Sequence, residues 1–447
     1  MSPGKAIPQG QLWPGAWVSK GGLPFPSKRC NIHRECSRRM RGTKGTPLAS
    51  LEGRVVPFQS VLEDFRAQVH QDPELSREEH RTQRRLLRVL RRLGVPARPW
   101  GPGTAVTAVL APRARGPALA LRADMDALPV RERTSAPFRS RNSAMHACGH
   151  DIHMAGLVGA AAVLRRCERN LKGPVRLIFQ PAEEAGGEGG ALPLIRQGIL
   201  KDPPVRTVFG LHVRPSLPLG RYAFRPGVAM ASPDRFQIRV RGRGGHAAYP
   251  HTAIDPIVAA SAVVLGLQTL VSRRRDPVEP AVVSVCRIAG GNKDNIIPDE
   301  VELEGTVRTL HSRTRTRFHR DLRHLATEAA RSFGARAEVR WDLGYPVLRN
   351  TEGLTLRLEE GFRRLFGPCR VQRLDHPWMG GEDFAYYLQR VPGTFLFLGT
   401  GDGSGGSRPL HSAEYLPSPR VITAAAAAHL AAVSIVQQVD LTDGGPR

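Results

Sequence analysis

The stretch MHACGHDIHMAG, residues 145–156, holds three histidines, an aspartate and a cysteine in twelve positions and runs straight into the apolar segment LVGAAAVL. A buried core gains little from His146, Cys148, His150 and His153 together, because each polar group must find a partner or forfeit its hydration. Other donors sit where short apolar runs end. LALRADMDALP leads into Asp124 and Asp126, VRLIFQPAEE ends in Glu183 and Glu184, VFGLHV ends in His212, and GGSRPLHSAEY carries His411 in a glycine-rich loop. Singly, each has an ordinary explanation as a turn cap, a solvated acid pair or a core histidine. Together, Cys148, His150, Glu184, His212 and His411 offer five N, O and S donors, the set that two first-row divalent ions need once a bridging water or hydroxide is added. A cysteine hydrolase built on Cys148 and a histidine base is the competing chemistry, but it leaves Glu183, Glu184, His212 and His411 without employment. His153, three residues after His150, is left between a supporting hydrogen bond and no role; His146, Cys167, Cys286 and Cys369 are read as structural.

The elements that must position these groups follow from apolar periodicity. Residues 58–93 have a helical pattern broken at QDPEL, with Ser76 able to cap the next helix and Glu79 at the capping-box position. TAVTAVLA, ALALRADM and PVRLIFQPAEE read as strands bounded by Gly and Pro, separated later by helices near 153–166 and 190–198. That alternation predicts an α/β fold: a mixed, mainly parallel sheet flanked by helices, with ligands gathered beyond the carboxyl ends of its strands. The character then changes. DRFQIRVRG, DPIVAASAVVLGLQTLV, AVVSVCRIAG, EVELEGTVRTL, TRTRFHRDLRHLATEAARSFG and RAEVRWDL spell strand, helix, strand, strand, helix, strand, a smaller ferredoxin-like α+β unit expected as an insertion. The expected organisation is a basic, disordered extension over 1–50, a catalytic domain over 51–229 and 343–447, and the inserted domain over 230–342.

Composition sets outer bounds. The 447 residues carry a formal charge of +25 and 41% hydrophobic residues, compatible with a large globular core. Much of the excess is arginine on helix faces such as RTQRRLLRVLRRL, with no aromatic-interleaved basic motif or helix-turn-helix signature, so a nucleic-acid partner is not expected. The six cysteines lack framework spacing, which points to free thiols in a reducing compartment. Cys30, His33 and Cys36 lack the second ligand pair of a zinc knuckle. No secretory apolar segment is present, and VITAAAAAHLAAVSIV is short and alanine-rich, so it reads as a buried helix and no membrane association is expected.

Nine stretches in this order, RADMDALP, MHACGHDIHMAG, FQPAEE, GLHV, GRGGHAAYPH, NIIPDEVELEGTVRT, MGGEDFAYYL, PGTFLFLG and PLHSAEY, make the chain resemble the di-metal metallopeptidase family of hippurate hydrolases, aminoacylases and auxin-conjugate amidohydrolases, over about residues 58–438. The resemblance implies a metal set of Cys148, His150, Glu184, His212 and His411, Glu183 as general base and Asp126 orienting a ligand. It implies that His246, on the inserted dimerisation or lid domain, reaches the other subunit's site, and that Asn295 and Arg308 hold the substrate carboxylate. The expectation is a cytoplasmic homodimer with two divalent ions per chain (Zn, Mn, Co or Ni) that hydrolyses N-acyl amino acids, or, with the same site, a dipeptidase or carboxypeptidase. All five ligands and the base are present, whereas a merely structural descendant would be expected to have lost one.

Overall fold

The computed structural model describes residues 50–442. The basic extension with Cys30, His33 and Cys36 lies outside the described residues, save Ser50, whose Oγ accepts from Gly53 N at 3.0 Å and caps the helix Leu51–Val55.

Eight strands form the main sheet, in the order Ala97–Pro99, Val106–Leu110, Val175–Gln180, Ala118–Asp124, Val205–Pro218, Gly393–Gly401, Tyr222–Phe224, Val371–Arg373. Four of its seven strand pairs are parallel, including the central run from Val175–Gln180 to Gly393–Gly401. Ala118–Asp124 and Val175–Gln180 are buried at every position, as parallel strands covered on both faces must be. The strands Gly393–Gly401 and Val371–Arg373 return late in the chain to complete this sheet, as expected from the sequence. His212, expected at a strand end, instead lies inside the fourteen-residue strand Val205–Pro218. Its neighbour Ala118–Asp124 stops at about the same level, while Val205–Pro218 continues against Gly393–Gly401, so His212 still emerges where the sheet opens.

The helices His150–Arg166 and Arg420–Gln437 cross through small residues. A Cβ on Gly156 would lie 2.5 Å from the Ala425 Cβ, and one on Gly159 would lie 2.9 Å from Leu62 Cδ1 and 3.1 Å from the Ala426 Cβ. That close approach explains the alanine run. By length and composition Arg420–Gln437 could cross a membrane, but 72% of it is buried inside the molecule, as the core helix expected from the sequence.

The capping box expected at Ser76 and Glu79 is absent. Ser76 Oγ donates to Asp126 Oδ2 at 2.6 Å, and Glu79 accepts from Arg77 N, Ala182 N and Thr104 Oγ1 at 2.9, 2.8 and 2.5 Å. Both side chains are drawn into tertiary contacts that the local pattern does not encode, and the helix His80–Arg92 has no side-chain cap.

A second sheet, in the order Ala281–Ala289, Glu300–Thr309, Ser232–Arg241, Arg336–Asp342, is antiparallel throughout. Strand Ser232–Arg241 alternates buried and exposed residues along most of its length. Phe236, Ile238 and Val240 point into a core with Val263 and Leu267 of helix Pro256–Ser272 and Leu322 of helix Ser312–Arg331, the period-2 pattern of a half-covered sheet. The strand, helix, strand, strand, helix, strand order read from the sequence is present here.

Beneath the start of helix His150–Arg166, Asp151 Oδ2 accepts from Arg66 Nε at 2.8 Å and from His70 Nδ1 at 2.9 Å, and His70 Nε2 lies 3.2 Å from Glu132. Burial opposes charge on His70, but the bonds to Asp151 and Glu132 outweigh it and raise its pKa from 6.5 to about 9. A group whose folded pKa is raised stabilises fully below its unfolded value and loses that contribution as pH rises through the folded one. The wild type is therefore expected to lose about 3 kcal/mol of stability between pH 6.5 and 9 from this group. Denaturant unfolding of wild type and His70→Gln across that window checks it: the gap between them should shrink as pH rises, and a constant gap would contradict the imidazolium.

Candidate active site

Gly149 starts the construction. Its φ of +83° lets the chain turn into helix His150–Arg166, and a Cβ there would lie 2.6 Å from Val213 Cγ2, so the turn admits only glycine. This places Cys148 and His150 on either side of one tight bend. His150 Nδ1 faces the Asp126 carbonyl at 2.9 Å and Asp126 Oδ1 at 3.2 Å. Nδ1 therefore carries the proton and Nε2 is the free lone pair, buried and without a hydrogen-bond partner. His212 is oriented the same way: Nδ1 donates to the Val213 carbonyl at 2.7 Å, and Nε2 lies 3.3 Å from Cys148 Sγ. His411, at φ +65°, donates its backbone N–H to the Ala147 carbonyl and brings Nε2 to 3.4 Å from Glu184 Oε1.

The five expected donors thus fall into two overlapping groups. Ligand atoms of Cys148, His150 and His212 lie within 4.8 Å of one another, as do those of Cys148, Glu184 and His411. Cys148 belongs to both. Two observations test whether cations fit. First, His150 Nε2 and Glu184 Oε1 are buried polar atoms without hydrogen-bond partners, which is costly unless something coordinates them. Second, the cage favours positive charge. Burial opposes positive charge at His150, but Asp124, Asp126 and Glu184 draw it there, and a cation on the free Nε2 supplies that charge without a second proton. Burial, then Glu184 and Glu183, push the Cys148 thiol up, so a thiolate there needs a cation beside it. With His212 held low by burial and by His153, the pair is also ill-suited to the thiolate–imidazolium chemistry of a cysteine hydrolase.

Asp126 serves both groups. Besides facing His150, its Oδ2 accepts from Ser76 Oγ at 2.6 Å and from the Glu184 backbone N–H at 2.9 Å. His153 is resolved as a support: Nδ1 donates to Asp124 Oδ1 at 2.6 Å, Nε2 accepts from Val213 N at 3.0 Å, and its ring packs against His212 at 4.8 Å between centroids. Both nitrogens are spent, leaving none for a metal.

Glu183 is buried at the cleft floor, and burial followed by repulsion from Glu382 and Glu184 drives its carboxyl well above the usual range. A carboxyl that both takes and returns protons near neutral pH needs such a shift. Glu382 is likewise raised, by burial against the pull of Arg122, to about 8. Arg122 holds this cluster together, with Nη1 2.7 Å from Asp124 and Nη2 2.7 Å from Asp383 and 3.0 Å from Glu382. It links the acid behind His153 to the acids beside Glu183. The sequence assigns these residues no role; the available signal is an acid pair inside the apolar stretch EDFAYYL.

A cleft of about 860 Å³ lies between the open end of the main sheet and the second sheet. Cys148, Glu183, Glu184, His212 and His411 form one wall; Arg308 and Trp341 belong to the other. Arg308 is half-buried and bonds Thr306 Oγ1, with no ion pair among the described residues. His246 and Asn295 are not brought to this cleft. Both are exposed, on or beside a two-stranded ribbon that pairs Gly245–His246 with Ile296–Ile297. His246 Nδ1 accepts from Ala248 N at 3.1 Å, which leaves the proton on Nε2.

A family model described as "Peptidase family M20/M25/M40" matches residues 120–434. Among curated proteins, an N-acetyl-L-cysteine deacetylase of Bacillus subtilis is 42% identical over 77% of this chain and 81% of its own length. Thermostable carboxypeptidase 1 of Saccharolobus solfataricus is 39% identical over 85% of this chain and 96% of its own. Among solved structures, the Bacillus subtilis YXEP protein, described as a dinuclear metal binding peptidase from the M20 family, superposes with a TM-score of 0.73 at 35% identity, covering 86% of this chain and 99% of that one.

Proposed function

Because the chain belongs to peptidase family M20/M25/M40, we propose that it hydrolyses the amide bond of N-acyl amino acids, with Cys148, His150, Glu184, His212 and His411 holding two divalent metal ions and Glu183 as general base. When bound, the ions supply the Lewis acidity that makes water nucleophilic near neutral pH. The set of imidazole, carboxylate and thiolate donors suits Zn, Mn, Co or Ni. Glu183, beside the ligand Glu184, takes the proton from the attacking water and returns it to the leaving amine. Asp126 fixes His150 and Glu184, and Arg308 takes the substrate's free carboxylate through parallel hydrogen bonds. The observation that carries this reading is one cleft with Cys148, Glu183, Glu184, His212 and His411 on one wall and an unneutralised arginine on the other.

His246 and Asn295 complete the site of a second copy in a two-fold dimer. Their exposure away from their own cleft supports this, as do the exposed apolar residues Ile257, Val258 and Leu265 of helix Pro256–Ser272 and Val282 and Ile288 of the edge strand Ala281–Ala289. Residues 230–342 are then the dimerisation or lid domain. A reducing cytoplasm is the proposed compartment, since Cys148 must stay a free thiol to bind metal.

A second reading, a carboxypeptidase or dipeptidase, is favoured by the similarity to a carboxypeptidase, since Arg308 would hold a peptide's C-terminal carboxylate equally well. A hydrolysis screen separates them: N-acetyl, N-benzoyl and indole-acyl amino acids against dipeptides, with Mn, Zn, Co and Ni added separately. Turnover of the acyl amino acids in preference to dipeptides is expected; no turnover of any of them by metal-loaded protein would overturn the function.

A further inference from the structure

The cleft contains a second cation that the catalytic chemistry does not use. Arg235 also lines it. On the second sheet Arg235 stands opposite Thr306, two residues from Arg308, so both arginines project from the same face of neighbouring strands. Arg235 is exposed and makes no hydrogen bond or ion pair among the described residues. The acid opposite it on the other flanking strand, Asp342, accepts instead from Arg340 Nε at 3.1 Å. The Arg235 guanidinium reaches across to the loop that follows Glu184: a Cβ on Gly186 would meet its Nη2 at 3.4 Å. After burial, Arg235 is the largest influence lowering the Arg308 pKa, ahead of the opposing pull of Asp234, so the two charges feel each other. Two guanidinium groups in one cleft, neither with an ion pair among the described residues, favour a ligand that brings more than one negative charge. A carboxylate held by both hydrogen bonds of Arg308 leaves Arg235 open to a second one.

We infer that Arg235 is a specificity determinant that binds a second carboxylate of the substrate, so that the enzyme prefers dianionic N-acyl amino acids over monoanionic analogues of similar size. This rests on the N-acyl amino acid reading above. The second carboxylate has two chemical sources, the amino-acid side chain or the acyl group, and paired substrates distinguish them. N-acetylglutamate against N-acetylglutamine probes the side chain; N-succinylglycine against N-butyrylglycine probes the acyl arm.

The test is kcat/KM for both pairs, with metal-loaded wild type and Arg235→Gln. The variant removes an exposed side chain without hydrogen bonds and is expected to fold, which its melting temperature checks. In at least one pair the wild type should prefer the dianion by about tenfold or more, and Arg235→Gln should reduce that preference about 10- to 100-fold, the range for a charged hydrogen-bonded pair. The pair that responds identifies the arm. Equal rates within both pairs, or preferences that survive in Arg235→Gln, would overturn the role of Arg235 while leaving the hydrolase reading intact. Turnover of none of the four substrates would overturn the role of Arg235, and the hydrolase reading falls with it only if the N-benzoyl and indole-acyl amino acids and the dipeptides also fail.

Discussion

Glu183→Gln is expected to fold, to retain its metal and to lower kcat by at least about a hundredfold, the loss typical when a positioned proton acceptor is removed. The amide preserves volume and relieves repulsion among Glu183, Glu382 and Asp383, whose oxygens cluster within 4.8 Å, so stability should not fall. Glu183 lies within 4.8 Å of ligand atoms of His150 and Glu184 but belongs to neither of the two groups that include Cys148, so as the base and not a ligand it should leave metal content unchanged. What disappears is a carboxyl, raised by burial and by Glu382, that can carry a proton from water to the leaving amine. The check is kcat alongside metal analysis and a melting curve. Near-native kcat would remove Glu183 from the chemistry, and loss of metal would make it a ligand.

How much of this was legible in the sequence depends on whether a residue's partner is local. The buried strands Ala118–Asp124 and Val175–Gln180 show as continuous apolar runs, and the alternation along Ser232–Arg241 marks a sheet with one covered face. The five donors were legible because their residue types are costly to bury without a partner. Arg122 was not, since Asp383 lies 261 residues away and neither residue has a local pattern to betray the pair. Ser76 and Glu79 misled for the same reason, their local capping signal losing to Asp126, Ala182 and Thr104. Arg235 was hidden within the alternation of a strand, one basic residue among many, until the register placed it beside Arg308.

The second large effect is rescue between inactive chains. Glu183→Gln and His246→Ala should each be inactive as homodimers, yet mixed dimers should regain activity. His246 is exposed and outside its own cleft, and with Nδ1 accepting from Ala248 N its Nε2–H is free to donate to a developing oxyanion. In a mixed dimer, the subunit with intact Glu183 receives intact His246 from its partner. Random exchange makes half the dimers mixed, with one complete site each, giving about a quarter of wild-type activity in a two-fold assembly. Verified mixed dimers with no recovery would confine His246 to its own chain or exclude it.

The central claim is a site for two ions held by Cys148, His150, Glu184, His212 and His411, and elemental analysis of the protein, purified without chelator and reloaded, measures it most directly. Wild type should approach two divalent ions per chain. Cys148→Ala, which removes a donor from both groups at once, should bind one or fewer. Folded, reloaded wild type with no bound ion, or Cys148→Ala retaining both, would contradict the account.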